Sequence, residues 1–391
     1  MLFIRATTTV QRLSARSCSR NGCSQRRWIA RSTRERKTFV GITTPHPEES
    51  VDNNCPFHLD TGYAVLAKRP SRAFPPPFFS PPSGSFSDPL STHDKSVDRR
   101  AQYRGQPIRG VTNGDDAVLV EGNLICANDG VGAWATRDRG HAALWSRLIL
   151  HFFALEMEST LRGESQPDPV VCLQKAFEST KKATSEPNQW QGTTTTTSAF
   201  LYHADTAPLL YVTNLGDSRV MVIRPSSAEV IYKTAEQWHW FDCPFQLGTN
   251  SVDSPKENAV CDKVPLEVDD VVVAMTDGLC DNLWDHEIVD IVVKSLKALT
   301  EESKVRTAGK RALESGGAMS WVAEELVREA RVIAEDPFAE SPYMERAVED
   351  GISYEGGTFQ FQAHALRQLI SVQGKLDDIS VIAAVCKRRG G

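Results

Sequence analysis

The stretch GDDAVLVEGNLICANDGVGAW, residues 114 to 134, constrains this chain more than any other. Two apolar runs of strand length, Ala117 to Val120 and Leu124 to Ala127, flank Glu121-Gly122-Asn123, and acids close both ends. Such a pattern reads as a β-hairpin. If it turns about Gly122, Asp115 lies directly opposite Asp129. Cross-strand neighbours sit about 4.5 to 5.5 Å apart, and like charges there repel unless something positive lies between them. A divalent cation is the simplest such partner.

Further acids stand at the ends of apolar strands: Asp277 after VVVAMT, and Asp377 with Asp378 immediately before ISVIAAV. Any one of these alone reads as a turn residue, since Asp-Gly is a common turn signal. Together they describe carboxylates converging from several strand ends. An all-oxygen site of that kind suits Mg2+ or Mn2+, hard ions that keep several waters, better than zinc, which favours nitrogen and sulfur.

Around this segment, short β-rich runs alternate with helical stretches. Strands are predicted at 58–68, 117–120, 124–127, 195–202, 209–213, 219–223, 230–233, 271–275 and 379–385, and helices at 138–161, 169–184, 286–299, 319–334 and 342–350. Consecutive strands joined by tight turns imply antiparallel sheets, and the helices come in blocks, so the class is α+β. The motif NLGDSR, residues 214 to 219, is read as a hairpin within one sheet, with Gly216 and Asp217 at the turn, and the β-branched run Thr193 to Thr197 as a strand. Pro70 to Pro82 is read as a Pro-rich loop.

Charge separates the first residues from the rest. Residues 1 to 34 hold eight arginines and no acid, so a net charge of −6 for the chain leaves −14 on the remainder. An acidic body argues against nucleic-acid binding, which needs a basic face, and suits a carboxylate cleft that concentrates cations. Arg12, Arg16 and Arg20 recur every fourth residue and share a helix face, with Leu2, Phe3, Val10 and Leu13 as apolar residues. An amphipathic, Arg-rich, acid-free leader is the composition of a mitochondrial transit peptide; the alternative is a disordered basic tail read by nuclear import or an anionic surface. The nine cysteines show no CxxC pair and read as reduced thiols, and no apolar run is long enough to span a bilayer.

The strings GDDA (114 to 117), NDGVGAW (128 to 134), GTTT (192 to 195), NLGDSR, EQWHWFDCPFQL (236 to 247), TDGLCDN (276 to 282), SPYMERAVEDG (341 to 351) and GKLDDIS (374 to 380) resemble, in this order, the type 2C Ser/Thr protein phosphatases. The EQWHWFDCPFQL and SPYM strings are similar to the mitochondrial branch of that family. The resemblance implies one domain over 46–389 behind a leader over 1–45, built as a four-layer α-β-β-α sandwich of two antiparallel sheets flanked by helices. It implies a monomer with two metal ions, Mg2+ or Mn2+. Asp129 would bridge them, Asp277 and Asp377 would complete one site, and Asp115 with the Gly130 carbonyl the other. Asp116, Asp281 and Asp378 would hold metal-bound waters.

What the resemblance implies about function is hydrolysis of phosphoserine and phosphothreonine by metal-activated water, on phosphoproteins of the mitochondrial matrix. A pseudophosphatase that binds phosphoproteins and a hydrolase of small phosphate esters are the alternatives. Three positions depart from the family pattern at the chemistry. Val131 stands where many members have a His able to protonate the leaving oxygen; His141 and His239 are the nearest histidines in sequence, and neither is assigned that task. Val111 stands where a phosphate-binding Arg is expected, with Arg109 as the nearby substitute. Residues 358 to 373 interrupt the approach to Asp377 and read either as a retained intron or as a lid.

Overall fold

The computed structural model describes residues 39–41, 55–78, 101–162, 166–185, 187–204, 207–305, 317–336, 338–351, 353–355, 358–360, 370–371 and 374–389. The Arg-rich leader, residues 1–34, lies outside them. Two six-stranded antiparallel sheets form the centre. The first contains β1 (Phe39–Gly41), β2 (Phe57–Leu66), β8 (Arg219–Arg224), β9 (Glu229–Lys233), β11 (Val271–Met275) and β12 (Ile379–Arg388), in the order β1-β2-β12-β11-β8-β9. The second contains β3 (Val111–Asn113), β4 (Asp116–Glu121), β5 (Leu124–Asn128), β6 (Thr196–Ala204), β7 (Ala207–Leu215) and β10 (Val260–Pro265), in the order β10-β7-β6-β5-β4-β3.

Alternation along the central strands explains the layering. In β11 the residues Val271, Val273 and Met275 face one core and Val272 and Ala274 another, so the run is apolar throughout. The even-numbered pair joins Val118, Ile125, Leu201, Val212 and Ile382 in the core between the sheets. The odd-numbered set packs under α3 (Asp285–Val305) and α4 (Gly317–Glu335), where Met319, Val322, Ala323, Leu326, Val327 and Ala330 form a helical stripe. On the opposite side Leu119, Leu124 and Cys126 pack under α1 (Ala142–Arg162) and α2 (Pro169–Ser185) through Ile149, Phe153, Met157, Leu173 and Phe177. The result is the expected α-β-β-α sandwich. A short helix, α5 (Pro342–Glu349), follows, capped by the Ser341 hydroxyl, which accepts from the Met344 amide at 3.3 Å.

The structure corrects the sequence reading at three places. In the β4–β5 hairpin Glu121 pairs with Leu124 and Ala117 with Asn128, so the turn is the two residues Gly122-Asn123. Continuing that register by one residue sets Asp116, not Asp115, against Asp129, and Asp115 against Gly130. NLGDSR is not a hairpin within one sheet, because β7 belongs to the second sheet and β8 to the first, so the motif carries the chain across the sandwich. The first long helix begins at Ala142 rather than Asp138, because the His141 Nδ1 accepts the Leu144 amide at 3.2 Å and caps it.

The Pro-rich loop earns part of its order from aromatic residues. Phe74 and Phe78 are buried against Ala143, Leu144 and Leu148 of α1. Residues 79–82 of that loop lie outside the described part of the chain. Within the segment 358–373, Thr358–Gln360 pairs with Ser353–Glu355 and with Ile370–Ser371, a three-stranded sheet separate from the two large ones.

Candidate functional site

The acids of the strand ends meet because the two sheets are bolted together there. The Asp116 Oδ2 accepts from Thr276 Oγ1 at 2.9 Å and from Ser380 Oγ at 2.8 Å, which links the start of β4 to the end of β11 and the start of β12. Asp378 works as a second bolt. Its Oδ1 accepts the Lys68 amide at 2.7 Å, just after β2, and its Oδ2 accepts the Asp115 amide at 2.9 Å. The backbone of Asp129 is held from the other side, its carbonyl accepting from Thr194 Oγ1 at 2.7 Å and from the Thr195 amide at 2.9 Å. Gly130 packs so tightly on the Asp115 carbonyl and Ser146 that a Cβ would find no room.

Crowding of these carboxylates dominates the electrostatics. Burial, reinforced by Asp277, pushes the Asp129 carboxyl well above the usual range, and burial reinforced by Asp378 does the same to Asp116. Burial raises Asp378 to about 6, with the Lys68 charge opposing it. Asp217, in the NLGDSR crossing, is buried and pushed up by burial and by Asp277. It therefore belongs to the cluster and is more than a turn residue.

Two ammonium groups stand among the acids. Lys68 Nζ pairs with Asp377, and Lys375 Nζ pairs with Asp277, with Asp281 at 2.7 Å and with Asp242 at 3.6 Å. Burial favours the neutral amines, but the surrounding carboxylates outweigh it and raise both lysines above their ordinary value. Asp281 also pairs with Arg346. No three acids, histidines or cysteines among the described residues stand grouped ready to share one ion.

The donor chemistry nevertheless fits a hard divalent cation. Asp116 Oδ1, Asp217 Oδ1 and Asp277 Oδ1 are buried with no hydrogen-bond partner, and a buried carboxylate oxygen left bare is costly. The bare atoms of the cluster are carboxylate oxygens, as Mg2+ or Mn2+ prefers.

The Protein phosphatase 2C family model matches residues 120–239. "Protein phosphatase PTC7 homolog fig" of Drosophila pseudoobscura pseudoobscura is 30% identical over 269 residues, which cover 66% of this chain and 66% of that one. The chain belongs to the protein phosphatase 2C family. "Probable protein phosphatase 2C 80" of Arabidopsis thaliana is 30% identical over 285 residues, covering 72% of this chain and 56% of its own length. The match thus spans just under two thirds of the one relative and little more than half of the other. Among solved structures, the photosystem II phosphatase PBCP is similar at 26% identity and a TM-score of 0.51, covering 70% of this chain and 91% of that one.

Within this 2C fold, the acids singled out in the sequence come to one end of the sandwich, but in different roles. Asp378 spends both oxygens and Asp116 one on holding the sheets together, whereas Asp277 gives one oxygen to Lys375 and leaves the other bare, as Asp116 does. Arg109 is not a substitute anion ligand, because it pairs with Glu121 at 2.8 Å and Glu158 at 2.9 Å. His141 spends Nε2 on the Ala73 carbonyl at 3.1 Å, and His239 pairs with Asp253 at 3.0 Å. Sequence reasoning missed Lys68, Lys375, Asp217 and Asp242. For Lys375 a signal existed, since it lies two residues before Asp377; Lys68 stands 309 residues away from its partner.

Proposed function

We propose that the protein is a metal-dependent protein Ser/Thr phosphatase acting on mitochondrial phosphoproteins. The observation that carries this reading is the meeting of Asp116, Asp129, Asp217, Asp277 and Asp378 at one end of a 2C sandwich, with three buried carboxylate oxygens unpartnered. In this reading Asp129, Asp277, Asp377, Asp115 and the Gly130 carbonyl would hold the cations, and Asp116, Asp281 and Asp378 would support them through water. Bound Mg2+ or Mn2+ supplies positive charge against a phosphate dianion and acidifies water for attack on phosphorus.

The chain's own residues then have distinct tasks. Thr194 and Thr195 fix the backbone that carries Asp129, and the Asp116 and Asp378 bridges keep the strand ends from opening. No side-chain nucleophile is called for, in keeping with the lack of a GxSxG elbow or P-loop lysine. Val131 cannot donate a proton, and His141 and His239 are bonded to the Ala73 carbonyl and to Asp253, so a water or another group of the cleft would protonate the leaving oxygen. The mitochondrial address rests on the Arg-rich, acid-free residues 1–34, and a reporter carrying them is expected to enter mitochondria.

A second reading, a phosphoprotein-binding pseudophosphatase, draws on the pairing of Lys68 and Lys375 with Asp377, Asp277 and Asp281. Purified protein assayed with and without Mn2+ separates the cases. Metal-dependent phosphate release from a phosphopeptide supports the phosphatase, release from small esters alone supports a small-molecule hydrolase, and release from neither leaves the binder.

A further inference from the structure

Three arginines gather about one glycine, Gly140. Arg72 Nη1 donates to the Gly140 carbonyl at 2.8 Å, and the Arg137 Cβ lies 3.0 Å from where a Cβ on Gly140 would stand. Arg139 is the residue just before it in the chain. All three arginines are exposed, and the Arg137 and Arg139 side chains have no acceptor or ion-pair partner among the described residues. Asp138, the acid between those two, is exposed as well and forms no ion pair with either. Positive charge crowded in this way on an otherwise acidic body makes a local field that attracts anionic partners.

The chain presents these groups on a fixed support that starts at the cleft. Just beyond Asp129 and Gly130, the Val131 amide donates to the Thr193 carbonyl at 3.1 Å, and Trp134 Nε1 donates to Thr193 Oγ1 at 2.7 Å. The Arg137 amide then donates to the Trp134 carbonyl at 3.0 Å, the Gly140 amide to the Arg137 carbonyl at 3.1 Å, and the Gln191 amide to the Arg139 carbonyl at 2.8 Å. Gly140 closes the turn, since a Cβ there would stand 1.9 Å from the Trp134 carbonyl oxygen. Guanidinium groups on a pinned backbone lose less freedom when they pair with carboxylates. The support also sets a distance. Between Gly130 and Arg137 runs the five-residue 3-10 helix Gly132–Thr136, about 10 Å of rise. An extended peptide covers that span in about three or four residues.

We propose that Arg72, Arg137 and Arg139 form a docking subsite for acidic residues about three to five positions from the phosphorylated residue of a substrate, so that the protein selects phosphoproteins with acidic flanks. This rests on the phosphatase reading for turnover, but peptide binding does not require turnover. The test measures fluorescence anisotropy of labelled peptides with the full chain and Mg2+. The peptides carry a phosphonate analogue of phosphothreonine, whose P–C bond water does not cleave, and differ only in having aspartate or alanine at those flanking positions. Wild type is expected to bind the acidic peptide about 10-fold more tightly, an advantage that shrinks as salt rises. The ratio should fall to about 1 in Arg137→Ala/Arg139→Ala and below it in Arg137→Glu/Arg139→Glu. Lys294→Ala/Lys297→Ala, which removes the same charge from exposed positions of α3, should leave the ratio as it is. With hydrolysable peptides the same factor should appear mainly in KM. Equal affinity of wild type for the two peptides overturns the subsite, as does a preference that the arginine variants retain. A wild type that prefers the acidic peptide through these arginines but releases phosphate from neither refutes the phosphatase reading alone.

Discussion

Lys375 Nζ is paired with the Asp277 carboxylate and also sits 2.7 Å from Asp281, so one ammonium neutralises two acids of the cleft at once. Removing it leaves those acids to repel each other unless a divalent cation takes over. Lys375→Met is therefore expected to lose about 3 kcal/mol of stability in chelator, the scale for breaking a buried ion pair, and to regain most of it in Mg2+. Melting with and without Mg2+ checks this. A variant that melts like wild type in chelator would show that the lysine is not a counter-ion.

Asp129→Asn and Asp277→Asn should each lower metal-dependent turnover by at least about 100-fold while the protein stays folded. Asp129→Asn replaces a crowded, buried carboxyl with a neutral isostere, so that metal-free variant should melt no lower than wild type, whereas Asp277→Asn also gives up one partner of Lys375 and should melt somewhat lower. Near-normal turnover with Mn2+ in either would remove that residue from the site.

His151 supplies a pH dependence away from the cleft. Its buried Nδ1 accepts the Arg109 amide at 3.2 Å, and burial, with the Arg109 and Arg147 charges, pushes the imidazole down to about 4. In the unfolded chain a histidine takes a proton near pH 6.5, whereas the folded protein resists until about 4. The neutral ring thus contributes stability in full above about pH 6.5, and on the order of 3 kcal/mol of it is lost as pH falls toward about 4. Urea unfolding of wild type and His151→Gln at about pH 7 and about pH 5 should show a shallower pH slope in the variant. Equal slopes would count against it.

Residues 358–373 should be dispensable for chemistry. Their described strands pair with Ser353–Glu355 and with each other, not with β11 or β12. Excision joining Gly357 to Gly374 is expected to leave metal-dependent turnover in place, since Asp377 and Asp378 are held through Lys68 and Asp115. Loss of turnover with the fold intact would mark the segment as a working lid. Sequencing of mature transcripts decides separately whether these codons are an intron.

The four-layer sandwich was implied by the resemblance to the 2C phosphatases, whereas the antiparallel strands and the approximate position of the cleft were legible in the amino-acid order, because an apolar run of strand length and an acid at its end are local properties. VVVAM, with both faces buried, and the β4–β5 hairpin show that directly. A one-residue error in that hairpin's register was enough to exchange Asp115 and Asp116, because the choice between a two- and a three-residue turn is decided by contacts beyond the hairpin. The crossing at NLGDSR was illegible for a related reason: a tight turn inside a sheet and one between sheets use the same residue types, and which occurs depends on where the next strand finds partners. Tertiary structure alone decided the charge balance of the site. Asp277, which is buried, and the half-buried Asp377 need nearby positive charge, and Lys375 and Lys68 supply it, the latter from just after β2, 309 residues distant in sequence. Folding brings that pair together because Coulomb energy depends on separation in space and not along the chain.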